Sequence, residues 1–388
     1  MNDTGTVLGL TAAELAAGGA ALTAREIAQQ PSLWPLIAQR VASDAGLAEF
    51  VGSLLANPGL RVVLTGAGTS SFIGECLAPP LARLGLRGEA IATTDIVTSP
   101  GSTLAPRVPT LMLHFARSGN SPESVAAVEL AEQYIENCAH LIVTCNPEGE
   151  LYHGAAHLKH ARCVLLPAEC NDQSFAMTSS FTGMLLAAAV ALRALGGEPE
   201  RIGTLARLAT HALTGCLPLM HTLVRAQFER AVYLGSNELK GLAREAALKM
   251  LELSDGRVVS VGDSPMGFRH GPKTLLNAGT LVLMFLSNQP HTRRYDLDLL
   301  AELRRDGVAG RVIALSSRAD LPAHTDPVLL GPAAADSAAL TDLELCLPYM
   351  AFAQALAMLR SMSLGLTPDS PNAAGKVHRV VQGVSIYR

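Results

Sequence analysis

Short runs of apolar residues recur along the chain, and each ends abruptly at small polar residues. Arg61–Thr65 (RVVLT) is halted by Gly66-Ala67-Gly68 and followed by a helix-like stretch to Leu84. Arg230–Leu234 (RAVYL) is halted by Gly235-Ser236 and followed by a helix-like stretch to Leu253. A second run in each series is Thr110–Phe115 (TLMLHF) and Thr280–Phe285 (TLVLMF), and a third is Leu141–Thr144 (LIVT) and Val312–Leu315 (VIAL). The spacing matches. Leu64 to Phe115 and Leu234 to Phe285 each span 51 positions, and the step to the third run is 29 residues in one series and 30 in the other. Apolar runs without alternation, separated by helical segments at this distance, predict βαβ units whose parallel sheets are buried on both faces. The same module is expected twice.

This pattern sets the expected domains. Residues 1–55 form a helical extension, 56–200 a first α/β domain, 215–365 a second, and 366–388 a tail. The Gly- and Pro-containing stretch Leu195–Glu200 and the helix after it link the two modules. Within the extension, Thr23-x-x-Glu26 reads as a capping box. Gln30-Pro31 stops that helix, and another runs to about Leu55.

Composition narrows the class. With 388 residues, 49% hydrophobic and 16% charged, the chain has enough apolar surface for two cores. The formal net charge of −4 gives no basic footprint for nucleic acid or an anionic membrane, so any bound phosphate must be gripped locally. None of the seven cysteines forms a Cys-x-x-Cys pair, which argues against a zinc knuckle or redox dithiol and fits a reducing, cytoplasmic setting. The apolar run at Gly183–Leu192 is too short to span a bilayer. Asp3 and Glu14 lie in an N-terminal stretch without a basic region ahead of an apolar one, so no secretory leader is expected.

Candidate chemistry begins at the strand ends, where parallel sheets bind ligands. The first run of the first module ends in Gly66-Ala67-Gly68-Thr69-Ser70-Ser71, and the second in Ala116-Arg117-Ser118-Gly119-Asn120-Ser121-Pro122-Glu123-Ser124. Backbone N–H groups, hydroxyls and helix N-termini converge in such loops, which suits an anion. Ordinary turn and capping chemistry is the alternative for either loop alone; two in register favour phosphate. The matching loops of the second module, Gly235-Ser236-Asn237-Glu238 and Ser287-Asn288-Gln289-Pro290-His291, carry bulkier and acidic residues. One phosphate site per chain is expected, in the first module.

Taken together, Thr65–Ser71, Ser118–Ser124, the stretch Glu245–Leu253 (EAALKMLEL) and Arg269-His270-Gly271-Pro272 resemble the double-SIS sugar isomerases, and most of all the AgaS family of tagatose-6-phosphate ketose/aldose isomerases and galactosamine-6-phosphate deaminases. Glu26-Ile27, Gln30-Pro31 and Pro368-Asp369-Ser370-Pro371 resemble that family's ends. A more distant likeness is to the isomerase half of glucosamine-6-phosphate synthase, without its glutaminase half. The resemblance implies two SIS domains, each a parallel-sheet βαβ sandwich with helices on both faces. It places Ser70, Arg117, Ser118 and Ser121 at the phosphate, to which the first loop adds Thr69, with Ala116 and Arg117 departing from the related Ser and Gln. It further implies Glu252 as catalytic base, His270 as the ring-opening histidine, and Lys376 as a tail lysine contacting the open-chain sugar.

The residues themselves leave alternatives. Glu252 is spaced to pair with Lys249 on a helix, and Glu245 lies two turns earlier on the same face. A loop histidine such as His270 commonly serves as a structural hydrogen-bond donor. His153, His157 and His160, at i, i+4 and i+7, could offer a metal one helical face, but no further ligand completes the set; no metal or cofactor is expected. His291-Thr292-Arg293-Arg294 reads as a small surface or interface basic cluster.

The expected function is therefore a sugar-phosphate aldose–ketose isomerase/deaminase, converting galactosamine 6-phosphate or glucosamine 6-phosphate and water to the ketohexose 6-phosphate and ammonia. The alternatives are a plain tagatose 6-phosphate isomerase and a non-catalytic sugar-phosphate sensor. The expected partners are the sugar phosphate and a second copy in a homodimer with shared active sites, and neither nucleic acid nor membrane.

Overall fold

The computed structural model describes residues 5–319, 321, 328–330, 340–372, 374–375, 377–381 and 383–387. The chain forms two compact units. One comprises residues 32–172, 179–202 and 375–388; the other comprises 1–31, 173–178 and 203–374.

The first unit is built on a five-stranded parallel sheet of β1 (Arg61–Thr65), β2 (Arg87–Ala90), β3 (Thr110–Ala116), β4 (Cys138–Thr144) and β5 (Ala161–Leu165), in the order β2-β1-β3-β4-β5. The three strands read from the apolar runs are the central ones, and every residue of β1 and β3 is buried. Because the chain moves one way from β1 to β2 and the other way from β3 to β4, right-handed crossovers place the Thr69–Arg83 and Pro122–Tyr134 helices on opposite faces. Side chains alternate accordingly. Val63 and Met112 pack with Ala127, Ala131 and Ile135 on the Pro122–Tyr134 side.

The second unit repeats this strand order with β6 (Arg230–Gly235), β7 (Val259–Asp263), β8 (Thr280–Phe285), β9 (Arg311–Ser316) and β10 (Val328–Leu329), arranged β10-β9-β8-β6-β7. Val232, Leu234, Val282 and Met284 form its core with Phe268 and with Leu299, Leu300 and Leu303 of the Pro290–Asp306 helix. The Asp342–Ser363 helix packs on the Glu238–Leu253 helix. Its 22 residues are long and apolar enough to cross a membrane, but the qualifying stretch is entirely buried, as in a core helix. Asp342, Glu344, Gln354 and Arg360 interrupt its apolar positions, so it does not read as a continuous run in the sequence.

The N-terminal expectations need correction. Thr23 and Glu26 do not form a capping box; both lie inside the Ala21–Ala28 helix. The backbone N–H and hydroxyl of Thr23 donate to Asp369 Oδ1 at 2.8 and 2.7 Å, while Glu26 accepts from the backbone N–H groups of Gln173 and Ser174 and from the Ser174 hydroxyl. Among the described residues, capping boxes form at Thr11/Glu14 and Thr341/Glu344. The stretch up to Leu55 is two helices, Gln30–Ala42 and Ala45–Leu55, with Pro31 in the first turn of the former and Asp44 capping the latter.

Candidate active site

The strand order places a topological switch between β1 and β3, where crossovers depart in opposite directions and leave a crevice at the carboxyl ends. Both Ser/Gly loops lie there, on neighbouring strands in register from Arg61↔Thr110 to Thr65↔His114. Backbone geometry dictates the glycines of the first loop. A Cβ on Gly66 would come within 2.5 Å of Ser70 Cβ, and Gly68 has φ +55°. Together these let the Thr69–Arg83 helix begin hard against the end of β1, with Thr69 and Ser70 buried in its first turn.

The second loop is braced by its neighbour. Thr144 Oγ1 donates to Ala116 O at 2.7 Å, Asn146 Nδ2 donates to Ser118 O at 2.8 Å, and the Glu150 N–H donates to Asn120 Oδ1 at 2.8 Å. Ser118 Oγ accepts from the Asn120 N–H at 3.3 Å. Ser121 occupies the cap position before Pro122 but does not cap the helix; its hydroxyl donates to Ser124 Oγ at 2.6 Å. Arg117 is buried, and its Nη2 donates to the backbone carbonyl of Arg379 at 2.8 Å, tying the loop to the C-terminal segment. The Arg379 guanidinium in turn donates to Asp172 O. The five phosphate candidates thus share one unit, with Arg117 also serving the tail. Lys376 lies outside the described residues.

Glu252 and His270 belong to the other unit. Lys249, near the end of the Glu238–Leu253 helix, is fully buried between two carboxylates: its Nζ donates to Glu252 Oε2 and lies 3.5 Å from Glu245 Oε1. Glu245 is fully buried, whereas a quarter of the Glu252 side chain is exposed. The spacing-based pairing of Glu252 with Lys249 is realised, and it leaves Glu252 with one open side. Lys249 itself was legible only as a partner; its complete burial could not be read from the sequence.

His270 is exposed at the end of the short Pro265–Arg269 helix, followed by Gly271 at φ +122° and a 3₁₀ turn, Pro272–Leu275. The flanking cations fix this corner. Arg269 Nε lies 2.9 Å from Glu302 Oε2, and Lys273 pairs with both Glu302 and Asp306. These contacts raise the Lys273 pKa and lower those of the two carboxyls.

The second sheet has the same switch point between β6 and β8, with a closely similar backbone. A Cβ on Gly235 would lie 2.3 Å from Leu239 O, and Asn237 adopts φ +52° where the first sheet has Gly68. Here the donors are already used. Ser236 Oγ donates to Asp296 Oδ1 at 2.8 Å and the Ser287 N–H to Asp296 Oδ2 at 3.0 Å; the Asn288 N–H donates to Asp342 Oδ1 at 2.7 Å. Burial pushes the Asp296 carboxyl up to about 6. An internal carboxylate thus bridges the two loops whose counterparts face the crevice in the first sheet. Arg293, expected in a surface basic cluster, is instead buried and donates to Ser287 O and Ser316 Oγ.

His153, His157 and His160, whose spacing is set aside as a metal face on sequence grounds, do not lie on one helix. The Glu150–Gly154 helix gives way to a 3₁₀ turn at Ala155–His157, and His160 lies beyond both. The packing of the Pro122–Tyr134 helix over β4 instead brings other candidate ligands together, Glu132 from the helix with Cys138 and His140 from the strand.

No family model matches the chain. It is 43% identical over 382 residues to the D-galactosamine-6-phosphate deaminase AgaS of Shewanella sp. (strain ANA-3), covering 97% of this chain and 95% of that protein. It is 45% identical over 376 residues to the D-galactosamine-6-phosphate deaminase AgaS of Escherichia coli, covering 94% and 95%. The crystal structure of tagatose-6-phosphate ketose/aldose isomerase from Escherichia coli superposes with a TM-score of 0.87 at 41% identity, covering 96% of this chain and 98% of that one.

Proposed function

The chain belongs to the AgaS family, and we propose that it deaminates and isomerises D-galactosamine 6-phosphate to the ketohexose 6-phosphate with release of ammonia. The observation that carries this reading is the likeness to the AgaS deaminases over nearly the whole chain. The paired Ser/Gly loops at the β1/β3 switch point support the phosphate end of the substrate.

In the proposed mechanism, Thr69, Ser70, Ser118 and Ser121 hold the phosphate, and Arg117 contributes charge while anchoring the tail. His270 opens the ring by moving a proton from O1 to O5. Glu252 takes the C2 proton, giving an enolamine, and returns it to C1. The C2 imine left behind is hydrolysed by water to the ketone and ammonia. Lys249 suits this cycle: set between Glu245 and Glu252, it holds the Glu252 carboxylate in place. Lys376 is assigned to the open-chain sugar. We place the enzyme in the cytoplasm as a homodimer in which His270 serves the partner's site.

The test is ammonia release from galactosamine 6-phosphate and glucosamine 6-phosphate measured side by side. Release from the galacto substrate supports the proposal; release from the gluco substrate alone overturns the substrate assignment. The likeness to the Escherichia coli tagatose-6-phosphate isomerase favours a second reading, ketose/aldose exchange without an amine. Turnover of tagatose 6-phosphate with no ammonia from either amino sugar would establish that reading instead.

A further inference from the structure

We propose that Glu132, Cys138 and His140 form a binding site for one borderline-soft divalent cation, with zinc the best-suited ion. The site lies at the opposite end of the first sheet from the phosphate loops. Cys138 and His140 are two residues apart on β4 and therefore share a face. That face meets the Pro122–Tyr134 helix, whose last turn supplies Glu132. One ligand atom from each residue falls within 4.8 Å of the other two.

The spacing suits a shared ion. His140 Nε2 is 3.3 Å from Cys138 Sγ and 3.0 Å from Glu132 Oε1. Bond lengths of about 2.3 Å to sulfur and about 2.0 Å to nitrogen or oxygen put tetrahedral S···N and N···O separations near about 3.6 and about 3.3 Å. For these two pairs an outward shift of about a few tenths of an ångström reaches the separations of a shared ion. A thiolate, an imidazole and a carboxylate together form a donor set typical of zinc, with a fourth position left for water.

Two further features point to a built site. The His140 side chain is fully buried, and its other nitrogen, Nδ1, lies 3.0 Å from Nε2 of His114 on β3, also buried. The edge-to-edge hydrogen bond with His114 fixes the orientation of the His140 ring, as outer groups do for ligating histidines. Glu132 is 40% exposed, which opens a path from solvent. Ligation by Cys138 would release the thiol proton to solvent as the metal–sulfur bond forms. Occupancy would clamp the far end of the helix whose beginning forms the second phosphate loop.

The test uses the full chain, stripped with EDTA and desalted. Zinc affinity is read by competition with a chromogenic chelator, and cobalt(II) is added separately to read geometry. The expected result is one zinc per chain, with proton release, and a thiolate-to-cobalt charge-transfer band beside tetrahedral d–d bands. Cys138→Ser should abolish the charge-transfer band and stoichiometric zinc binding, Glu132→Gln should weaken binding, and His114→Asn should weaken it ~10–100-fold. His157→Ala should change nothing. Circular dichroism checks that each variant folds; Glu132→Gln alters only a partly exposed side chain and keeps the test open if a buried variant does not fold. No stoichiometric binding, or full affinity retained in both Cys138→Ser and Glu132→Gln, overturns the site.

Discussion

Asp296 offers the sharpest test of how the switch point of the second sheet is filled from within. Its carboxyl is raised from 3.8 to about 6, chiefly by burial, with the Asp342 carboxylate adding to the rise; the Ser287 N–H, the Ser236 hydroxyl and Arg293 pull the other way. A raised carboxyl pKa means that between about pH 4 and 6 the folded chain keeps a proton the unfolded chain has released. Stability from this group is therefore greatest below about pH 4, falls through the window and levels off above about 6. A shift of about two units corresponds to about 3 kcal/mol. Asp296→Asn keeps the shape and removes the titration. Relative to the parent, the variant should gain about 3 kcal/mol between pH 4 and 7, superimposed on a constant offset for the altered hydrogen bonds. The single tryptophan, Trp34, belongs to the other unit, so its fluorescence would report the wrong one. Amide exchange of β6 and β8, measured across this pH range, reads the right one. Parallel pH profiles for parent and variant would refute the reasoning.

Three further outcomes are expected. Glu252→Gln should lower kcat ~10²–10⁴-fold with KM little changed, because it removes the proposed base and leaves Lys249 paired with Glu245; near-normal turnover would shift the role to Glu245. Arg117→Ala should release the tail from the loop, speeding tryptic cleavage after Arg379 by about tenfold or more, the scale of a lost charge-assisted hydrogen bond; unchanged cleavage would deny the tether. Mixing Glu252→Gln chains with His270→Ala chains should restore activity in exchanged dimers if sites are shared, and sustained inactivity with exchange verified by mass would exclude sharing.

What the sequence disclosed follows from where each strand sits. β1, β3, β4, β6, β8 and β9 are interior to their sheets and read as apolar runs; all but β9, which is half buried, are buried over nearly their whole length. β2, β5, β7 and β10 are edges, and none is continuously buried; RGEA in β2 and VSVGD in β7 carry no such signal. The switch point, which depends on β2 and β7 lying beside β1 and β6, was therefore invisible, although both loops that meet at it were legible. The same limit explains Thr23 and Glu26. A capping box is local, but these residues bond to Asp369, Gln173 and Ser174, partners that sequence spacing cannot supply. Glu252–Lys249 was readable because its three-residue spacing on a helix fixes proximity; Cys138–His140–Glu132 was not, because it needs the register of a helix over a strand.

The two sheets also show why a duplicated crevice is not simply left vacant. Gly66 and Gly235 are each required by the close approach of the following helix, and Asn237 accepts a positive φ that Gly68 takes without strain. This backbone shape comes with the strand order, not with any ligand, so it persists in the sheet whose loops lack small hydroxyls at the matching positions. The shape brings unpaired N–H groups to the crevice, and a buried donor without an acceptor costs about 1–3 kcal/mol. Something must accept from the Ser287 and Asn288 N–H groups. Asp296 and Asp342 do so, at distances of 3.0 and 2.7 Å. The cost is visible in Asp296, whose buried charge is held less willingly than in water. Once the second crevice is closed from within, its unit is free of the geometric demands of gripping a phosphate, and the Glu238–Leu253 helix beside it can carry a buried lysine between two carboxylates. In this arrangement, the anion binding proposed for the first sheet and the proton transfer proposed for Glu252 need not compete for the same strand ends.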